Sequence, residues 1–187
     1  SDPFLVAGML KDQSHILITG QIFQLPVIGL CLHKLGHIPV HAGNGREAID
    51  RGVELLRKGK TVVIFPEGAL SAPDGGVKEA HTGVARLALS SGAPVIPVGI
   101  HPKRNLIRKS FYNWRGKRYY SAWYLRGPYF MTVGEPLFFF GNVEDRPLVR
   151  SIAKTVMSSI VEMIHLSERR MNRRSEEHTS ELQSPNT

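Results

Sequence analysis

The chain of 187 residues has the length of one ordinary domain, and its 42% apolar content excludes global disorder. Its single cysteine, Cys31, excludes an internal disulfide, and no apolar run approaches the roughly 20 residues that span a bilayer. A formal charge of +8 calls for an anionic partner, which lipid headgroups, an acidic cofactor or nucleic acid could each supply.

In chain order, Phe4–Lys11 follows Pro3 and predicts a short helix, because proline suits a first helical turn. His15–Thr19 reads as a strand. Ile22–Leu35 is strongly apolar, with Pro26 interrupting it and Gly36 as its cap. Cys31 lies in this run and is expected as a buried, structural thiol. His37–His41 reads as a strand, and Glu47–Arg57 carries Ala48, Val53, Leu55 and Leu56 on a helical stripe closed by Gly59. Thr61–Phe65 is continuous and β-branched, as interior strands are. Ala72–Gly76 is a turn, Thr82–Ser91 a small-residue helix ended by Gly92, and Val95–Ile100 a further interior strand. Phe130–Val133 is a strand and Arg146–Arg169 a long helix. Alternation of strand and helix over the first hundred residues predicts an α/β fold, a single domain with a mixed, largely parallel sheet flanked by helices. That domain is expected over residues 1–170. Residues 174–187 are polar and aperiodic, and RSEEHTSELQS resembles a translated sequencing adapter, so this tail is set aside as non-native or disordered.

The informative stretch is FPEGALS, Phe65–Ser71, directly after the Thr61–Phe65 strand. With the helix and strand that follow it forms a βαβ pattern, and open α/β sheets bind ligands beyond the carboxyl ends of their strands. Glu67 and Gly68 would be displayed there. A carboxylate accepts hydrogen bonds from hydroxyls, and glycine lets a ligand approach the backbone. The plain alternative for Glu67 is a turn carboxylate capping a nearby N–H.

FPEG followed by the GAPVIPVGI strand resembles the lysophosphatidic acid acyltransferases, within the glycerolipid acyltransferases. SDPFLVAGML resembles the end of that family's NHxxxxD block, LGHIPVHAGNGREA its second block, FPEGALS its third, GAPVIPVGI its fourth and YFMTVGEPL its late strand. The resemblance covers roughly residues 2–140. It implies transfer of an acyl group from acyl-CoA or acyl carrier protein to a hydroxyl of a lysophospholipid or glycerol-phosphate acceptor, in phospholipid biosynthesis. A histidine would act as general base and Asp2 as its carboxylate partner. The motif places that histidine five residues before Asp2, upstream of Ser1, so the chain as given is expected to be inactive. The resemblance implies no tightly bound cofactor, no metal and no nucleic-acid partner. It implies work at a membrane lipid surface on the cytoplasmic side, peripherally or through an N-terminal anchor. A non-catalytic lipid-surface protein of the same fold is the alternative.

Arg46 is the candidate for phosphate recognition in the second block, since a guanidinium grips phosphate oxygens bidentately. In the family the arginine often follows the strand at once; here HAGNG intervenes, and a solvated surface arginine fits as well. Ala69 and Leu70 stand where the third block usually reads Thr-Arg, which removes a cationic contact to the acceptor. His33, His37 and His41 recur every four residues, but Gly36 and Pro39 interrupt any helix that would make them a metal face. Lys103–Arg126 holds eight Lys/Arg, seven aromatics and no acid. A membrane-surface patch with Trp114, Tyr119, Trp123 and Tyr124 at headgroup level, a nucleic-acid surface, and an excursion packed on the body all fit that composition; the resemblance favours lipid.

Overall fold

The computed structural model describes residues 14–68, 80–114, 117–124 and 127–183. The expected helix at Phe4–Lys11, the turn at Ala72–Gly76, and Asp2, Ala69 and Leu70 lie outside these residues. Two compact units make up the chain. One is built from residues 2–95 and 136–157, the other from 96–135 and 158–187.

The first unit holds β1 (Ser14–Thr19), two short helices α1 (Gly20–Phe23) and α2 (Ile28–Lys34), β2 (Ile38–Val40), α3 (Gly45–Arg57), β3 (Thr61–Val63) and α4 (Gly83–Ser91). The three strands form one parallel sheet in the order β2-β1-β3. Leu17 is opposite Ile38 and Thr19 opposite Val40 on one side of β1; Ser14 is opposite Thr61 and Ile16 opposite Val63 on the other. The expected strands are therefore present, but β3 stops at Val63, two residues before Phe65. Pro66 disfavours helical geometry at Phe65 and lacks the N–H that would continue the ladder.

Helix α3 buries Ala48, Gly52, Val53 and Leu55. Ala48, Gly52 and Leu55 recur at helical spacing on one stripe. Ile38, Ala48 and Leu55 form a buried cluster, with Leu17, Val40 and Val62 packed against it, so α3 is pinned to the sheet by both outer strands. Gly52 allows α4 to come close, because a Cβ there would lie 2.7 Å from Leu87 Cδ2. The helix ends as Gly59 turns left-handed (φ 72°), with Gly59 N donating to Leu56 O and Lys60 N to Leu55 O. Helix α4 buries Val84, Ala85, Leu87 and Ala88 and stops at left-handed Gly92. The long helix α5 (Arg146–Gln183) starts on Asp145, whose Oδ1 accepts from Leu148 N, and buries Val149, Ile152, Ala153, Val156 and Met157. It passes Arg169, where the sequence reading stops it, since no Gly or Pro intervenes before Pro185.

The run Ile22–Leu35 does not behave as a buried segment. Of α2, only Gly29 and Leu32 are buried, and Cys31 is exposed, contrary to the expected buried thiol. Pro26 splits the run into α1 and α2, and neither piece is long enough to turn every apolar side chain inward.

The second unit contains β4 (Val98–Pro102), the hairpin β5 (Arg108–Trp114) with β6 (Lys117–Trp123), β7 (Tyr129–Val133) and the later part of α5. Strand β4 pairs antiparallel with β7, from Val98 opposite Val133 to Pro102 opposite Tyr129. The expected parallel strand at Val95–Ile100 is thus corrected in both start and partner. Pro94 and Pro97 cannot donate to a ladder, so Val95 makes only a bridge to Leu137 and the strand begins after Pro97. Helix α5 lies against β4 at Gly99, where a Cβ would fall 2.2 Å from Ile164 N. Ser167, with no exposed surface, hydrogen-bonds Thr132 Oγ1 at 2.7 Å and donates to Gly99 O at 3.1 Å. The basic aromatic segment forms the β5–β6 hairpin, and Tyr124 after it is buried, its hydroxyl donating to Pro128 O.

Two predictions follow from these packings. Gly99→Val would drive side-chain carbons into the α5 backbone, so it is expected to cost roughly 3 kcal/mol or more in urea unfolding, an overpacking loss. Ser167→Ala, which removes only a buried hydroxyl, is expected to cost about 1–3 kcal/mol.

A third prediction concerns pH. His37 Nδ1 accepts a 3.3 Å hydrogen bond from Ile16 N, and His15, whose Nδ1 bonds Gly36 O at 2.7 Å, is close by. Burial, and then repulsion from His15, hold the His37 pKa below 6.5. The unfolded chain therefore takes up this proton first. The stability present above pH 6.5 is lost as pH falls from there toward the folded pKa. Thermal melts from pH 7.5 to 5 are expected to decline more steeply for the parent than for His37→Gln, which keeps an acceptor but cannot titrate. Parallel slopes would exclude His37 as the cause.

Candidate active site

All three strands of the parallel sheet point the same way, so their carboxyl ends lie at one edge. The chain leaves β1 for β2 on one side, then crosses to β3 on the other. This reversal makes the carboxyl ends of β1 and β3 the switch point where such sheets open a ligand crevice. Each strand delivers a different chemistry to this edge. Gly20 and the apolar α1–α2 segment follow β1, Arg46 follows β2, and Glu67 and Gly68 follow β3.

At β1, Gly20 is required by space. A Cβ there would come within 2.5 Å of His41 Nδ1, so His41 at the end of β2 fits against bare backbone. At β2, the loop His41–Asn44 closes on itself, with Asn44 N donating to His41 O, and α3 begins at Gly45. Arg46 is therefore exposed on the first turn of a thirteen-residue helix, where unpaired N–H groups and the helix dipole also favour an anion.

At β3, Gly68 N donates to Phe65 O at 3.1 Å, closing a turn over Pro66 and Glu67, and Gly68 takes φ 63°. Pro66 is buried, Glu67 half-buried and Gly68 exposed. His81 clamps this corner. Its N–H donates to Pro66 O at 2.8 Å, and a Cβ on Gly68 would lie 2.3 Å from its Cδ2. The glycine is needed twice over, for its left-handed φ and for the imidazole resting on it. Reasoning from the sequence passed over His81. The signal available was a histidine just before the Thr82–Gly83 start of α4, across the loop from FPEG.

Arg46, Glu67 and Gly68 are thus brought to one sheet edge. Asp2 lies outside the described residues. The histidines spaced by four do not share a helix face: His33 lies on α2, while His37 and His41 flank β2. His15 and His37 belong to the opposite, amino end of the sheet, where they bond backbone groups. A shallow depression of about 440 Å³ along α3 and α4, lined by Asp50, Val53, Glu54, Arg57, Lys58 and Ser90, includes none of the three. Its charges are solvated, and Glu54 is already engaged by Arg51 and Lys58. The sheet edge is the better candidate.

A parallel sheet with a cation, a carboxylate and a left-handed glycine along its carboxyl edge has the architecture of the α/β proteins that bind ligands at that edge. More narrowly, the chain belongs to the acyltransferase family, whose model matches residues 1–101. It is 36% identical over 100 residues to a chloroplastic 1-acyl-sn-glycerol-3-phosphate acyltransferase of Brassica napus, covering 52% of this chain and 28% of that protein. It is 28% identical over 134 residues to the 1-acyl-sn-glycerol-3-phosphate acyltransferase of Bacillus subtilis, covering 71% of this chain and 59% of that one. The chain thus spans less than two thirds of the length of either relative. Its fold is similar to the crystal structure of the 1-acyl-sn-glycerophosphate (LPA) acyltransferase PlsC from Thermotoga maritima. The TM-score is 0.58 at 21% identity, over 86% of this chain and 61% of that one. The α/β architecture and the family read from the ordered sequence blocks are both borne out.

The corner itself can be tested. Gly68→Ala is expected to cost about 1–2 kcal/mol, from positive φ and from the clash with His81. In Gly68→Ala/His81→Ala the clash disappears and the φ penalty stays, so the pair is expected to be non-additive by at least about 0.5 kcal/mol in urea unfolding. Strict additivity would mean that His81 does not rest on the glycine.

Proposed function

We propose that this chain is the core of a 1-acylglycerol-3-phosphate O-acyltransferase. It moves a fatty acyl group from a thioester, acyl-CoA or acyl carrier protein, to a hydroxyl of a glycerol-phosphate or lysophospholipid acceptor. The observation that carries the reading is the convergence of Arg46, Glu67 and Gly68 on the carboxyl edge of a parallel sheet in a chain of the acyltransferase family.

In this reaction the acceptor hydroxyl oxygen attacks the thioester carbonyl carbon. A histidine paired with Asp2 takes the hydroxyl proton, and the Asp2 carboxylate supports the imidazolium that forms. The C–O bond forms, the C–S bond breaks, and the departing thiolate recovers the proton as a free thiol. Glu67 accepts hydrogen bonds from the acceptor's hydroxyls and Gly68 lets it approach the backbone. Arg46, with the first turn of α3, meets the phosphate. The absence of an arginine at Leu70 gives Arg46 a larger share of that charge. No bound cofactor is needed, because the thioester donor is itself a substrate. The site works at a lipid surface on the cytoplasmic side, where acceptors and products reside.

The test uses the chain extended upstream of Ser1 to include the position five residues before Asp2. Thiol release is followed with both donors. Replacing that upstream histidine, or Asp2→Asn, is expected to lower kcat/KM by about 10²–10⁴. Arg46→Ala is expected to raise KM for a phosphate-bearing acceptor by roughly tenfold to a hundredfold, the loss of a charged hydrogen bond, and to leave an uncharged acceptor unaffected. Wild-type kinetics in all three variants would refute the proposal.

A further inference from the structure

The α1–α2 segment carries a feature that the acceptor site does not use. Val27 has φ 66° and ψ −56°, and Ile28 N donates to Pro26 O at 2.7 Å, two residues back. This is a γ-turn of the rarer, strained hand, and the residue holding it is β-branched. Its side chain is 74% exposed, at the point where α1 gives way to α2. Ile22, Leu25, Ile28, Leu30 and Leu35 are exposed around it, Leu30 at 60%. Buried Gly29 and Leu32 occupy the other side of α2, and a Cβ on Gly29 would strike Phe23 O at 2.0 Å, so α2 is held close to α1 in this orientation. The apolar side chains are presented outward by a packed backbone.

The charges around the patch narrow what covers it. From Ser14 to Arg46 the chain has no Asp or Glu, while Lys34 and Arg46 are cationic and four histidines accompany them. The patch leaves β1 at the same sheet edge that carries Arg46, Glu67 and Gly68. An apolar face on a stretch of chain whose only formal charges are the cations Lys34 and Arg46, with the first acid at Glu47, is complementary to an anionic lipid surface, into which apolar side chains dip while lysine and arginine meet headgroups. The two helices, four and seven residues long, are too short to cross a bilayer, so a membrane contact made by them would lie at the interface.

We infer that Ile22–Leu35 is the surface by which this protein seats on an anionic bilayer, with Val27 and Leu30 as its deepest residues. The inference rests on the lipid-surface reading above and moves the contact from the β5–β6 hairpin, where the sequence suggested it, to the site's own edge. Seated this way, the crevice at the carboxyl ends of β1 and β3 faces the pool that holds an acyl-bearing acceptor.

Cys31, exposed within the patch and the chain's single cysteine, provides the readout. The chain labelled there with an environment-sensitive dye is titrated with phosphatidylglycerol and with phosphatidylcholine vesicles, alongside co-sedimentation of unlabelled chain. A blue shift and pelleting are expected with phosphatidylglycerol, weakening in high salt. Val27→Asp/Leu30→Asp is expected to weaken vesicle affinity at least about tenfold, since burying each aliphatic side chain contributes about that factor. Lys34→Gln is expected to weaken it about fivefold, the worth of one cation at an anionic surface. Phe138→Asp/Phe140→Asp, an exposed apolar pair elsewhere, is expected to leave it unchanged. Binding that survives Val27→Asp/Leu30→Asp but fails when Arg108 and Lys109 become Gln would return the contact to the hairpin and overturn the inference. A blue shift that grows with protein concentration in the absence of vesicles would identify a second copy as the occupant and overturn it too. The acyl-transfer reading is scored separately, with the upstream-extended chain and a water-soluble short-chain acceptor. Transfer without vesicle binding sinks only the docking surface, and vesicle binding without transfer sinks only the enzyme.

Discussion

The structure of the first unit depends on β1 being paired on both sides. Leu17–Thr19 hold β2 and Ser14–Ile16 hold β3, so a six-residue strand fixes two chain reversals of opposite direction. Because both pairings are parallel, every departure from the sheet occurs at the same edge. The convergence of an apolar segment, a cation and a carboxylate–glycine corner is a consequence of that topology. None of the three groups has to reach far. Each is the next thing the chain does after a strand ends.

What keeps the edge open is the placement of glycine and proline. At the end of β1, Gly20 leaves room for His41; after β3, Pro66 ends the strand and Gly68 turns the chain under His81. A side chain at either glycine would push neighbouring histidines out of place. The energetic anchor lies elsewhere, in the Ile38–Ala48–Leu55 cluster and the α3–α4 contact across Gly52, so the edge carries polar chemistry without having to supply the core. The histidines divide along the same line. His15 and His37 serve the backbone at the amino end of the sheet, whereas His41 and His81 line the carboxyl end.

Much of this was legible in the residues. The β-branched run at Thr61 gave a strand, the stripe Ala48–Val53–Leu55 gave α3, and FPEG marked the corner, because local propensity and tertiary environment agree there. The reading fell short where they part. GAPVIPVGI has the composition of an interior strand, but its two prolines delay the ladder to Val98 and its partner is β7, a pairing that no local pattern encodes. Ile22–Leu35 has the composition of a core segment, yet apart from buried Leu32 most of its apolar side chains point out. Hydropathy alone cannot distinguish burial in a core from presentation at a surface. The γ-turn at Val27 and the missing acids between Ser14 and Arg46 are the features that separate them. His81 was passed over for a related reason, since its role comes from a contact across a loop and not from spacing.

The exposed segment and the polar corner make sense together. In the acyl transfer proposed above, a water-soluble thioester would meet an acceptor held in a lipid phase, and that chemistry has to work where apolar and aqueous environments meet. A parallel sheet offers one edge for this, and the chain spends its first exit on apolar residues and its second and third on charge. Under the seating proposed above, an α1–α2 segment buried in the usual way would leave the edge that carries Glu67 facing water, and a long-chain acceptor would have to leave the lipid phase entirely before reaching it. With the segment outward and seated as proposed, only the headgroup would need to move, and the acyl chain would stay solvated by lipid. The exposure of Val27, Ile28 and Leu30 in water would then supply the driving force for the proposed seating, by the same apolar burial that stabilises a core.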